Sequence, residues 1–154
     1  MGANRNRCCK SVWSWDLIMS SPLVRNWLGA GVGGGVGAPV SNLFNGPEPW
    51  QVAGNMVDNG DGTFTASAGA ATVFKELPQV IEGATYEFTY ILSSRTAGAA
   101  VADVNGTGGT ARNSNGTWVQ NIIAGVIDDI SEVRSNGALV GVVEPISLIY
   151  VSGP

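Results

Sequence analysis

The chain has 154 residues, 44% of them hydrophobic, with only 13% charged and a formal net charge of −4. That length suits one domain, or a smaller domain with an arm, and the charge content is about half the ordinary level. The negative balance argues against nucleic acid as the main partner, because neutralising phosphates needs clustered Lys and Arg, and the absence of histidine removes the commonest general base and metal ligand.

Residues 1–40 read as an extended N-terminal arm rich in Trp and Gly. Arg5, Arg7 and Lys10 form a small basic cluster, expected to be solvated or partner-facing. Cys8 and Cys9 are adjacent, and adjacent cysteines rarely bridge because the ring is strained. They lack zinc-site spacing and read as reduced thiols made in a reducing cytosol. Asp16, Pro22 and Arg25 break the apolar run after the basic residues, so neither a signal peptide nor a spanning helix fits. Three of the five tryptophans, Trp13, Trp15 and Trp27, fall in this arm. Tryptophan is enriched at the energetic centres of interfaces. With Leu28 and the flexible run through Gly33, Gly34 and Gly35, they mark a candidate partner-binding segment, gripped by something outside the chain. The plainer alternative is a flexible linker.

From about residue 41 to 154 the texture becomes that of an all-β domain. Trp50, Val52, Met56 and Val57, then Asn59-Gly60-Asp61-Gly62, then Thr63-Phe64-Thr65 read as strand, tight turn, strand. Val73 and Phe74 mark a further short strand ended by Pro78. Residues 84–94 give the clearest alternation: Tyr86, Phe88 and Tyr90 on one side, Thr85, Glu87 and Thr89 on the other. Further strands are expected over 98–106 and 117–125, then over 125–143 with a division at Asn136-Gly137, and over 146–151. Turn signals every ten residues or so suit a sandwich or barrel. A helix over 122–133 is the one rival, since Ile123, Val126, Ile127, Ile130 and Val133 also fit a helical stripe.

No residue pattern supplies a catalytic constellation. No serine sits in a Gly-x-Ser-x-Gly elbow, and the Gly-rich run is not framed by the strand and helix a dinucleotide loop requires. Asp128 and Asp129 are adjacent and would point to opposite sides of a strand. Asp58 and Asp61 lack the further acidic ligands that calcium demands, which favours a hairpin turn. Trp50 and Trp118 are candidates for stacking on sugars, but their place in strand patterns favours core packing. The expectation is therefore a protein that is not an enzyme and has no cofactor or metal site.

Four segments together carry a likeness: "NLFNGPEPWQVAGNMVDNGDGTFTASAG", "PQVIEGATYEFTYILSS", "NGTWVQNIIAG" and "GALVGVVEPISLIYV". They resemble the carbohydrate-binding-module-like jelly-roll domains of bacteriophage virion proteins, over roughly residues 41–152. Glu144-Pro145 depart from the closing motif, where an Asp and a polar residue are usual, and the order of the last strands stays open. The resemblance implies a jelly-roll β-sandwich preceded by the extended N-terminal arm. It implies a capsid decoration (cement) protein of the virion, made in the host cytoplasm. The arm would dock on the major capsid protein or clasp sister copies in a homotrimer, and surface glycans are a further implied partner. The alternative is a tail-fibre or receptor-binding module that recognises host glycans. No membrane association is expected.

Overall fold

In a computed structural model of the chain, residues 41–126 and 128–154 are described. The arm residues Trp13, Trp15, Trp27, Leu28, Gly33, Gly34 and Gly35 lie outside them.

The described residues are all-β, as the sequence implies. A 3-10 turn at Leu43–Asn45 leads into β1 (Gln51–Asp58), β2 (Phe64–Glu76), β3 (Thr85–Val104), β4 (Thr107–Gly108), β5 (Gly116–Ile123) and β6 (Ile130–Ser152). All belong to one antiparallel sheet in the order β1-β2-β6-β3-β4, with β5 also paired to β3. The segment expected either as strand or as helix after residue 122 is the end of β5, a short loop and the start of β6.

Three expectations change. The strand expected at Thr63-Phe64-Thr65 and the short one at Val73 and Phe74 are a single strand, β2. Residues 84–94 and 98–106, expected as separate strands, are one 20-residue strand, β3. Likewise the strands expected over 125–143, with a division at Asn136-Gly137, and over 146–151 are one 23-residue strand, β6, which continues through Asn136-Gly137 without a break. The turn signals there are real but serve to bend strands rather than reverse them. Pairing shifts register between Gly54 and Met56 of β1, between Ser67 and Thr72 of β2, and between Ser93 and Ala97 of β3. Left-handed backbone clusters at the same level, at Gly54, Ala68, Gly69, Ser94, Gly98 and Gly137. Adjacent strands thus kink along one line, and bulges and glycines are what let a strand turn a corner. Gly98 shows why the residue type matters. Its φ is +68°, and a Cβ there would come within 2.6 Å of Leu139 and Ala138 backbone atoms.

The bend brings the two halves of each long strand against one core. In β3 the Tyr90 hydroxyl donates to the Ala100 carbonyl at 3.4 Å, ten residues along the same strand. A straight strand would separate them by about 33 Å. Tyr86, Phe88, Tyr90 and Leu92 from one half of β3 and Ala100, Ala102 and Val104 from the other share a single buried cluster. Phe64, Val73, Val133, Val143 and Leu148 complete its centre. The alternation read from the sequence holds: Tyr86, Phe88 and Tyr90 are buried, while Thr85, Glu87 and Thr89 are half-exposed.

Candidate functional site

The chain joins the sheet through a fixed junction. Asn42 caps the 3-10 turn, its side-chain oxygen accepting from Phe44 N at 3.1 Å. The same amide reaches β6: Nδ2 donates to the Ile146 carbonyl at 2.9 Å and Oδ1 accepts from Leu148 N at 3.0 Å. One side chain thereby stands in for a strand neighbour on the outer side of β6. Phe44 is buried edge-on against Phe88 and Trp50, with centroids 5.1 and 4.8 Å apart.

Lys75 of β2 closes this junction. It is 3% exposed, an unusual place for an ammonium. Its Nζ donates to the Phe44 carbonyl at 2.7 Å and the Gly46 carbonyl at 3.0 Å. It also lies 5.6 Å from the Trp50 ring centroid, within cation–π range. Burial pushes its pKa below the usual lysine range, with the Glu48 carboxylate pulling the other way. By the period of two, Lys75 falls on the same side of the chain as Val73 and Leu77, which are buried. Only the approach of the 44–46 carbonyls, some thirty residues earlier, gives it partners. The signal in the sequence was an isolated cation inside an apolar strand pattern.

The turn between β1 and β2 is built as a hairpin. Asp58 Oδ1 accepts from Gly60 N at 2.8 Å, and Asp61 Oδ1 accepts from Thr63 N at 3.0 Å and Thr63 Oγ1 at 2.6 Å. Those bonds hold the Asp61 carboxyl below the usual carboxylate range. Both carboxylates are occupied in shaping the turn.

Trp50 and Trp118 sit half-buried at the margin of the core. The Trp118 indole N–H donates to the Ser114 carbonyl at 3.2 Å, and the Arg112 guanidinium lies over its ring at 4.7 Å. With Lys75 beside Trp50, each ring already has a cation as partner. Both rings pack in part against the core, as their place in strand patterns implies.

One cluster of charge escaped the sequence reading. Asp103 of β3 and Glu132 of β6 are directly opposed across the strand pair. Like charges in that position repel. Arg134 lies between them, 3.4 Å from Asp103 and 3.3 Å from Glu132. Burial pushes both carboxyl pKa values up; Asp103 and Asp128 raise Glu132 further, and Arg134 opposes the rise in each. Asp103 stands out in "GAAVADVNG" as a charge in an apolar strand, but its register against Glu132 is a long-range fact that spacing does not encode. Asp128 and Asp129 take separate roles. The Asp128 carboxylate accepts from Ile130 N at 3.3 Å, and the Asp129 carbonyl accepts from Leu77 N at 2.6 Å.

Three shallow clefts flank these groups. One, of about 270 Å³, is lined by Glu82, Asn105, Asp128 and Asp129 among others. A second, of about 540 Å³, lies between Gly108–Arg112 and Val119–Asn121. A third, of about 490 Å³, lies between Gly108, Gly109 and the Arg134–Gly137 stretch. Deep in the fold, burial pushes the Tyr90 phenol up to about 12, with Arg112 and Gln120 opposing.

Comparison with protein-family models, with curated proteins and with solved structures finds no match for this chain. The fold and the junction therefore carry the functional argument alone. Among the described residues no group of three or more His, Cys, Asp or Glu is placed to hold a metal ion. Among them, too, no helix is long and apolar enough to cross a membrane.

Proposed function

We propose that this chain is a structural protein of a bacteriophage particle, a capsid decoration (cement) protein. In this reading the β-rich domain is an exposed jelly-roll-like knob, and residues 1–40 anchor it to the major capsid protein or to sister subunits. Trp13, Trp15, Trp27 and Leu28 supply the contact area, and Gly33, Gly34 and Gly35 let the backbone lie close to a neighbour. Burying such a segment supplies several kcal/mol at about 25 cal/mol per Å², less the cost of ordering the glycines.

The observation that supports this reading most is the junction. Phe44 in the core, Lys75 on two carbonyls and Asn42 on β6 tie the start of the domain to three strands at once. A pull on the residues before Ser41 is then transmitted into the sheet rather than peeling it open. A tethered knob needs that property, and a catalytic domain does not. The sequence also offers the tryptophans on the far side of this joint.

The test is co-sedimentation with phage capsids assembled from the major capsid protein alone. The full chain is expected to pellet with them, and the W13A/W15A/W27A variant to stay in the supernatant. A triple variant that pellets as well as the full chain, or a full chain that does not pellet, contradicts the proposal. The glycan-binding alternative draws no support from Trp50 and Trp118, which pack against the core with a cation beside each ring.

A further inference from the structure

Five Asn-Gly pairs punctuate the chain, at Asn45, Asn59, Asn105, Asn115 and Asn136. This dipeptide carries a chemistry of its own. Glycine has no Cβ to hold the following amide nitrogen away from the asparagine side chain, so that nitrogen can attack the side-chain carbonyl carbon. The attack needs a side chain free to rotate and a glycine N–H that is not committed as a donor.

The fold withholds one or both at four of the pairs. Gly46 N donates to the Leu43 carbonyl at 3.2 Å. Asn59 Nδ2 donates to Thr63 Oγ1 at 2.9 Å, and Gly60 N donates to Asp58 Oδ1 at 2.8 Å. Asn105 is 5% exposed. Asn115 Oδ1 accepts from Arg95 N at 2.9 Å, and Gly116 is in register with Leu92.

Asn136-Gly137 differs on both counts. The two residues are exposed and line the cleft of about 490 Å³, where water reaches them. Ala100 exchanges both of its backbone bonds with Arg112, at 2.9 and 2.8 Å. It therefore turns away from β6, and its neighbour Ala99 faces Asn136. Bonding directions alternate along an antiparallel ladder, so the Gly137 N–H points away from β3 and toward β2. There the register passes from Thr72↔Arg134 to Ser67↔Val140 and gives Gly137 no paired residue. The bend that requires this glycine, at φ +75°, thus leaves its nitrogen outside the ladder.

We propose that Asn136-Gly137 is a self-modification site, at which the folded chain converts Asn136 to aspartate and isoaspartate with water as the only reactant. Hydroxide takes the proton from the Gly137 nitrogen, which bonds to Asn136 Cγ. The Cγ–Nδ2 bond breaks, and Nδ2 leaves as ammonia with a proton from water, restoring the hydroxide. Water then opens the five-membered imide. Opening at Cγ gives aspartate; opening at the Asn136 backbone carbonyl gives isoaspartate, whose main chain runs through Cβ and Cγ. Nothing is oxidised or reduced. Either product places a new negative charge on the side of β6 that carries Arg134 and Glu132, and isoaspartate also lengthens the backbone at the bend. The inference rests on the strand and not on the particle reading.

The experiment ages the full chain for weeks in mildly alkaline buffer and follows tryptic fragments by mass. Cleavage after Arg134 releases residues 135–154, in which Asn136 is the only asparagine. Asn115 is the internal control, since Ser114-Asn115-Gly116 and Ser135-Asn136-Gly137 share the same three residue types. Fragmentation locates each amide-to-acid exchange, and isoaspartyl methyltransferase labelling marks the isoaspartate. In the folded chain Asn136 is expected to convert severalfold faster than Asn115 and the other three, and in urea Asn136 and Asn115 should convert alike. Asn136→Gln should lose the fast acidic product. The inference is overturned if residues 135–154 stay unchanged, if Asn115 converts as fast as Asn136 in the folded chain, or if the gap between them persists in urea.

Discussion

The two halves of β3 are made of different material. Before the bend, Tyr86, Phe88, Tyr90 and Leu92 fill the interior; after it, the inward positions hold Ala100, Ala102 and Val104. Large side chains from one half and small ones from the other share one buried cluster, and alternating large and small residues is how facing layers fit together. One strand can therefore line a core from two sides. Its two halves are not interchangeable, and the hinge between them must be a residue that tolerates a left-handed backbone.

That contrast can be broken at the hinge first. Gly98→Val places a branched Cβ where φ is +68° and where Leu139 backbone atoms stand 2.4 and 2.5 Å away. The neighbour is backbone and cannot yield, so a loss above about 4 kcal/mol is expected, read as failure to fold or a collapsed urea midpoint. Next comes the aromatic half. Phe44→Ala removes the ring packed against Phe88 and should cost about 3–5 kcal/mol in chemical denaturation. The small half is probed from the other direction: Ala102→Leu adds bulk at a fully buried position, with about 1–3 kcal/mol lost to overpacking.

The charge on the small half gives a pH signature. Asp103 has a raised pKa in the fold, so the native state holds its proton to higher pH than the unfolded chain does. Its favourable contribution is complete below the unfolded value near 3.8 and is lost as pH rises through the folded value. Asp103→Asn mimics the protonated form. Its melting temperature relative to wild type should therefore rise between about pH 4 and pH 7. A relative melting temperature that falls over that interval would contradict the burial of this carboxylate. The smallest effect belongs to the bond that crosses the bend. Tyr90→Phe deletes the hydroxyl that donates to the Ala100 carbonyl, for a loss of about 1 kcal/mol.

Local chemistry made part of this legible from sequence. The Asp58–Thr63 hairpin announced itself through residues that need special backbone angles, and the Tyr86/Phe88/Tyr90 alternation declared its buried side. Other signals were read correctly as local geometry and wrongly as topology. Ser94–Gly98 and Asn136-Gly137 demand left-handed backbone, but a reversal and a corner ask for the same residues. What separates them is pairing with a strand far along the chain, as between Val140 and Ala97. Lys75 and the Asp103–Glu132 pair were hidden for the same reason. Their partners, the 44–46 carbonyls and a facing strand, are set by register and not by spacing.

The doubled-back course of β3 is tested most directly by nuclear Overhauser contacts between the Tyr90 ring and the backbone and methyl protons of Ala100. With the hydroxyl 3.4 Å from the Ala100 carbonyl, strong cross-peaks are expected in the folded chain and should vanish in urea. A folded chain without those cross-peaks, its Tyr90 ring in contact only with residues near it in sequence and on β5 and β6, would mean that β3 runs straight. The shared core would then be wrong.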